Sequence, residues 1–219
     1  MRIAPLLVIA LVGCTPYDPT LSSSPFNCGS AEPVCPDGYE CMGTVCTNTT
    51  APPSTCTMAF TGVLATWSMV GEPGSQSQTA AFSSAPGVVA TSIVRAAPLI
   101  VADGIGSINA SNWSTDPSPD LTKYFTISID PAAGCALVVT SVDVDAKSST
   151  TGPLSASLAT SVDAFAATSP VSTAMPTTVT TMVTDKTGAL EIRIYGYSAA
   201  AMTGTLRVQN KLTVSGALQ

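Results

Sequence analysis

The sequence predicts an all-β protein, an antiparallel two-sheet β-sandwich preceded by a small disulfide-rich module. Three observations lead there. From residue 56 onward, short segments alternate apolar and polar residues with a period of two, the period of a half-buried strand. Clusters of Gly, Pro, Asn and Asp interrupt them at roughly 10–15 residue intervals, as turns between antiparallel strands require. No stretch of about 12 residues keeps a 3.6 period free of Pro or Gly, and the best candidate for a helical turn is the short segment 162–167.

The clearest strands each show which face is apolar. In 124–130, Phe125, Ile127 and Ile129 share one side, with Tyr124, Thr126, Ser128 and Asp130 on the other. Segment 136–146 places Val138, Val142 and Val144 together. Leu190, Ile192 and Ile194 alternate with Glu191, Arg193 and Tyr195. In the last segment Leu206, Val208, Leu212 and Val214 oppose Arg207, Gln209, Lys211 and Thr213. Asn210 alone interrupts that apolar row, and an amide buried there needs partners.

The N-terminus has a different character. After Met1 and Arg2 the chain is apolar over 3–12, interrupted by Pro5. That is shorter than the about 20 residues needed to span a bilayer, and it matches the apolar region of an export signal. The segment ends Leu11-Val12-Gly13-Cys14, which resembles the lipobox of bacterial lipoproteins. The resemblance implies that 1–13 are a signal peptide removed at export, and that the Cys14 thiol carries a diacylglyceryl group. Two acyl chains and a third on the freed amine anchor stably, where one chain binds only marginally. The membrane is therefore an expected partner. Thr15, where an Asp would retain such proteins in the inner membrane of enteric bacteria, directs the expectation to the outer membrane or cell surface.

With Cys14 assigned to lipid, six of seven cysteines remain: Cys28, Cys35, Cys41, Cys46, Cys56 and Cys135. An even set in an exported chain reads as disulfides. Residues 14–27 form a Pro/Ser-rich tether, 28–46 a module too short to bury a core, 47–55 a Pro/Thr linker, and 56–219 the sandwich. The four cysteines of the module allow three pairings. Zinc fits them poorly: structural sites favour two closely spaced pairs, and the chain has no histidine. Cys35-Pro36-Asp37-Gly38-Tyr39-Glu40-Cys41 resembles the small Cys-Pro-x-Gly-x-x-Cys repeats of secreted proteins, which implies Cys28–Cys41 interleaved with Cys35–Cys46. Cys56 and Cys135 are left to tie the start of the sandwich to the loop 131–134.

Composition bounds the function. Only 10% of residues are charged and the net charge is −6, so no basic surface exists to hold nucleic acid. Without histidine there is no Ser-His-Asp or Cys-His catalyst. No Gly-x-Ser-x-Gly elbow, P-loop or dinucleotide fingerprint is present. The chain is not expected to be an enzyme; a carboxylate pair for glycoside hydrolysis is the remaining catalytic alternative.

Several phrases, in order, carry a second resemblance: Ala65-Thr66-Trp67, Ser111-Asn112-Trp113-Ser114, Tyr124-Phe125-Thr126-Ile127, Ser141-Val142-Asp143-Val144-Asp145, Ser161-Val162-Asp163-Ala164-Phe165, Arg193-Ile194-Tyr195-Gly196-Tyr197 and Gly204-Thr205-Leu206-Arg207-Val208-Gln209-Asn210. Together they resemble a β-sandwich domain of bacterial surface proteins that often accompanies sorting tails of the PEP-CTERM or type IX secretion kind. The resemblance covers roughly 57–216 and implies a jelly-roll sandwich like those of carbohydrate-binding modules. This chain departs from that pattern at Gln209, where Asp commonly precedes the Asn, at Cys135, and in having no sorting tail after Gln219.

Two sets of candidate site residues follow. Tyr195, Tyr197 and Trp113 are the aromatic candidates for stacking on a sugar ring, although Trp113, like Trp67, also suits a core. Asp143 and Asp145, at i and i+2, share a strand face and are candidate calcium ligands, a solvated face being the plainer alternative. No other cofactor is expected. The expected function is a surface-anchored, non-catalytic lipoprotein whose sandwich binds polysaccharide, a surface protein or another envelope component. The alternative is a purely structural or adhesive envelope protein. Replacing Cys14→Ala should abolish metabolic labelling with palmitate and leave an uncleaved or misdirected precursor; normal labelling of the mutant would end the lipoprotein reading.

Overall fold

A computed structural model of the chain describes residues 39–42, 45–48 and 56–219. Cys14, Cys28 and Cys35 lie outside the described residues, as does the pairing of the four module cysteines. The chain divides into two compact units between Pro53 and Ser54, within the Pro/Thr linker. In the first unit, β1 (Tyr39–Met42) and β2 (Val45–Asn48) form an antiparallel hairpin with Cys41 and Cys46 as register partners.

The second unit holds two sheets built from β3 (Phe60–Ser68), β4 (Pro73–Gly74), β5 (Gln78–Thr79), β6 (Ser83–Ser84), β7 (Val88–Ala90), β8 (Ile93–Arg95), β9 (Ile100–Val101) and β10 (Ser107–Ser111), followed by the longer strands β11 (Tyr124–Pro131), β12 (Leu137–Ser148), β13 (Pro153–Thr160), β14 (Ser169–Val171), β15 (Thr177–Lys186), β16 (Leu190–Ala199) and β17 (Leu206–Leu218). From β10 on, the chain shuttles between the sheets. The larger sheet orders β15-β12-β17-β10 and the smaller β14-β13-β16-β11. That interleaving of Greek keys is the eight-strand jelly roll, so the predicted all-β sandwich class holds. The early strands fill in around it: β3 lies beside β10 on the same flank of β17, and β7 and β8 extend the flank of β11.

The core lies between the sheets, where the inward rows meet. Phe125, Ile127 and Ile129 of β11, Ile192 and Ile194 of β16, and Val142, Val144, Leu212 and Val214 of the larger sheet are all buried. Trp67 and Trp113 join them. Trp113 meets the Phe125 ring edge-on at 5.3 Å between centroids, and its indole N–H donates to Ala110 O at 2.8 Å. Trp113 therefore fills the core, with both its ring and its donor engaged, and is not a sugar platform.

Three local expectations change. Val138 does not share a face with Val142: the inward row of β12 is Leu137, Val139, Val142, Val144 and Ala146. The cause is a bulge at Thr140, where one residue is inserted between Val139 and Ser141 relative to β17. Gly216 sits opposite, and a Cβ there would overlap the Val138 carbonyl oxygen. Asn210 is exposed rather than buried, at φ 56°, a left-handed conformation that Asn tolerates better than most residues. The helical turn is a single 3-10 turn, Ser161–Asp163.

Arg95 crosses between the sheets. From β8 its guanidinium donates to Asn109 O at 2.7 Å, to Gln76 O at 2.5 Å and to Gly74 O. It ties β8 of the smaller sheet to carbonyls of β4, of the loop after it and of β10. Burial lowers its pKa, while a guanidinium stays protonated in proteins.

Cys56 and Cys135 are bonded, 79 residues apart in sequence, tying the start of the unit to the loop before β12. Loop closure of that length is worth about 4.5 kcal/mol in the chain-entropy treatment. The double substitution Cys56→Ala with Cys135→Ala should lower the urea-unfolding free energy by that order, and a loss below about 1 kcal/mol would show that the bond constrains little.

Candidate functional site

The outward residues of β12 and β17 place most of the polar chemistry on the outer face of the larger sheet. Asp143, Thr213, Thr66 and Thr178 form one cross-strand row. Thr178 Oγ1 donates to Asp143 Oδ1 at 2.5 Å. The Thr213 hydroxyl beside them is buried and has no partner.

The next register step is irregular. Between the pairs Val144–Leu212 and Ala146–Val208, β12 contributes Asp145 alone while β17 contributes Gln209, Asn210 and Lys211. The extra length leaves Asn210 in its left-handed conformation, as β17 changes partner from β10 to β3. Its backbone holds two loops there: its N–H donates to Gly106 O at 3.1 Å, and its carbonyl accepts from Met69 N–H at 2.9 Å. Asp145, only 8% exposed, accepts from Asn210 Nδ2 at 2.5 Å and from Gln209 Nε2 at 3.2 and 3.3 Å. Gln209 is held in turn by Arg207 Nε, which donates to Gln209 Oε1 at 3.0 Å. A buried carboxylate is tolerable because amide donors replace its water.

These groups open into a cleft of about 490 Å³ lined by Asp143, Asp145, Pro176, Thr178, Asn210 and Lys211. Asp143 and Asp145 do share one face and one cleft. As a calcium cage they fit poorly. Calcium takes six to eight oxygens, yet both Asp145 oxygens face N–H donors and Asp143 Oδ1 holds a hydroxyl. Among the described residues no group of three or more acidic, Cys or His side chains is placed to hold a metal. The arrangement is one of matched donors and acceptors.

The outer face of the smaller sheet carries the aromatic candidates. Tyr195 does lie on the side opposite Ile194, but it is fully buried. Tyr124, its register partner, packs edge-on at 5.8 Å. The Arg193 guanidinium stands 4.0 Å from the Tyr124 ring centroid and 3.7 Å from that of Phe165, stacked between the two. Phe165 reaches that position because it and Ala164 both adopt positive φ, 66° and 56°. Glu191 completes the cluster, accepting from Arg193 Nε at 2.7 Å. Tyr195 is thus covered by its neighbours and cannot stack on a sugar; Tyr197 remains half-buried. Sequence reasoning missed Thr178, Asn210 and Lys211 as site residues, although the break of the β17 apolar row at Asn210 was a visible mark of the irregularity.

No family model matches the sequence, and no curated protein matches it. Among solved structures it is similar to a mutant of a family 29 carbohydrate-binding module complexed with mannohexaose, at 12% identity, with 70% of this chain and 93% of that chain covered and a TM-score of 0.34.

Burial pushes the Tyr195 phenol above its ordinary range, the Arg193 guanidinium opposing this in part. No aligned hydrogen bond reaches its Oη. The folded chain then keeps the phenol neutral where the unfolded chain has ionised it, so the contribution to stability is whole below about pH 10 and is lost as pH rises further. Tyr195→Phe should change stability at pH 7 by less than about 1 kcal/mol and flatten the alkaline loss. Urea melts at neutral pH and near pH 10.5 read both effects; a large loss at neutral pH would show that the hydroxyl is bonded.

Proposed function

We propose that this chain is an exported lipoprotein, held in a membrane through Cys14, whose sandwich is a non-catalytic module for a hydroxyl-rich ligand of the glycan class. The cleft on the outer face of the larger sheet is its binding surface. The observation that carries the reading is the content of that cleft: the Asp143 carboxylate, the Asn210 amide, the Lys211 ammonium and the Thr178 hydroxyl around an open volume of about 490 Å³. A sugar hydroxyl both donates and accepts, so it is read by a carboxylate or carbonyl on one side and an ammonium or amide N–H on the other. Here those groups stand on strands and on a backbone fixed by the Asn210 irregularity, so less order is lost on binding. Export is supported by the Cys56–Cys135 bond, which persists in oxidising compartments. The low charge and the lack of histidine support a binding rather than a catalytic role.

Affinity-gel electrophoresis against a panel of neutral polysaccharides tests the reading. At least one polysaccharide should retard the wild-type chain, and Asp143→Ala or Lys211→Ala should weaken that retardation by about tenfold, one charge-assisted hydrogen bond being worth about 1.5–3 kcal/mol. Tyr195→Phe should leave it unchanged. If no polysaccharide retards the chain while it still cosediments with whole envelopes, the structural or adhesive reading replaces this one.

A further inference from the structure

Beyond the cleft, at the far end of β12, Lys147 faces Arg207 directly as a register partner on β17. Like charges at facing positions sit about 5 Å apart at Cβ and destabilise a sheet. In a chain with only 8 Lys and Arg and a net charge of −6, that pairing is costly unless something offsets it. Neither residue makes an ion pair among the described residues, where the salt bridges are Lys123–Asp120 and Arg193–Glu191. The Arg207 Nε donates to Gln209, which leaves the terminal guanidinium nitrogens for another acceptor.

The two cations line a separate pocket of about 280 Å³ with Ser148, Ser149, Thr150 and Thr205. Its wall is fixed by backbone. Ser149 N–H donates to Thr205 O at 2.9 Å, Thr205 N–H donates to Ser149 Oγ at 2.9 Å, and Ser148 Oγ donates to Thr205 O at 3.2 Å. Because Ser149 Oγ accepts there, its own O–H is left to donate elsewhere. Two cations and a ring of hydroxyls, with no carboxylate in the lining, form a site for an anion. The volume is below the about 300–1,000 Å³ of a whole-ligand pocket, so it suits one substituent. Lys147 lies four residues along β12 from Asp143 on the same outward face, roughly 13 Å at about 3.3 Å per residue.

We infer that the Lys147–Arg207 pocket is an oxyanion site, taking a sulfate or phosphate ester carried by the glycan that occupies the neighbouring cleft. The inference rests on the glycan reading for the polymer, and on the pocket alone for the anion. Sulfate stabilises proteins generally by exclusion from their surface, so the test reads binding directly. The full acylated chain in detergent is titrated by NMR with inorganic sulfate, then with inorganic phosphate, at constant ionic strength. It is also compared on dextran sulfate, on neutral dextran, and on vesicles of phosphatidylglycerol.

The amides of 147–150 and 205–207 should shift with either inorganic anion, and dextran sulfate should bind at least about tenfold tighter than dextran. Lys147→Glu should remove both effects while leaving the melting temperature equal or higher, since it replaces a like-charge pair by an opposite one. Lys186→Glu, with the same change of net charge on β15, should remove neither. Equal losses in the two variants would overturn the inference by assigning binding to net charge, as would dextran sulfate binding no tighter than dextran. Anion shifts with no binding to either dextran would keep the oxyanion site but overturn a sulfated polysaccharide as its carrier, the glycan reading itself being decided on the polysaccharide panel. Tighter binding to the vesicles than to dextran sulfate would overturn the glycan as the carrier.

Discussion

The pairing of β12 with β17 is the constraint on which the larger sheet depends. β17 supplies the central ladder, with β12 along one flank and β10 and β3 end to end along the other. No single register satisfies all three partners. The ladder breaks twice, by one residue at Thr140 and by two around Asn210. The first break turns β12 over, so that Leu137 and Val139 reach the core from one parity and Val142, Val144 and Ala146 from the other. The second is forced where β10 hands over to β3, and it leaves Asn210 and Lys211 without a regular cross-strand partner on β12. That is where the cleft lies. The cleft is a consequence of how the sheet is stitched.

The alternation of apolar residues was legible wherever the ladder is regular. Phe125, Ile127 and Ile129, and Ile192 and Ile194, face inward as their spacing requires. It misled at Val138, because a bulge adds a residue without leaving a mark in composition. It hinted at Asn210 without disclosing the outcome. An amide in an apolar row fits either a buried, partnered group or a left-handed kink, and only the strands on both sides of β17 decide between them. The site residues were less legible still. Tyr195 stands on the side of β16 opposite Ile194, yet it is buried against Tyr124, and the Arg193 beside it stacks on Phe165, thirty residues before Tyr195 and placed by two positive-φ residues in a loop. Asp143 and Asp145 read as a pair of equals. In the fold one bonds a threonine and the other is a buried acceptor for two amides.

The two outer faces resolve the same problem in opposite ways. A sandwich strand exposes one row, and that row must be either solvated or covered. On the smaller sheet it is covered from within the unit: Arg193 lies between Tyr124 and Phe165, with Tyr195 beneath and Glu191 neutralising the charge. Every strong group in that cluster already has a neighbour. On the larger sheet the outward row is short and polar, dominated by Thr, Ser and Asp. Its donors and acceptors are held in place yet reach the two clefts.

The difference between the faces bears on function more directly than the choice of residue types does. An aromatic is a platform only when its face is bare, and the packing of Tyr195 and Trp113 removes both. A polar group recognises a ligand only when its position is fixed and its bonding capacity is not exhausted. Asp145 meets the first condition and fails the second; Asp143, with one oxygen bonded to Thr178, meets both. Asp145 is then best understood as the residue that fixes Asn210, and through Gln209 it also fixes Arg207. The buried carboxylate links the two clefts: it orients an amide at one and a guanidinium at the other, so a ligand crossing both would meet one connected set of hydrogen bonds.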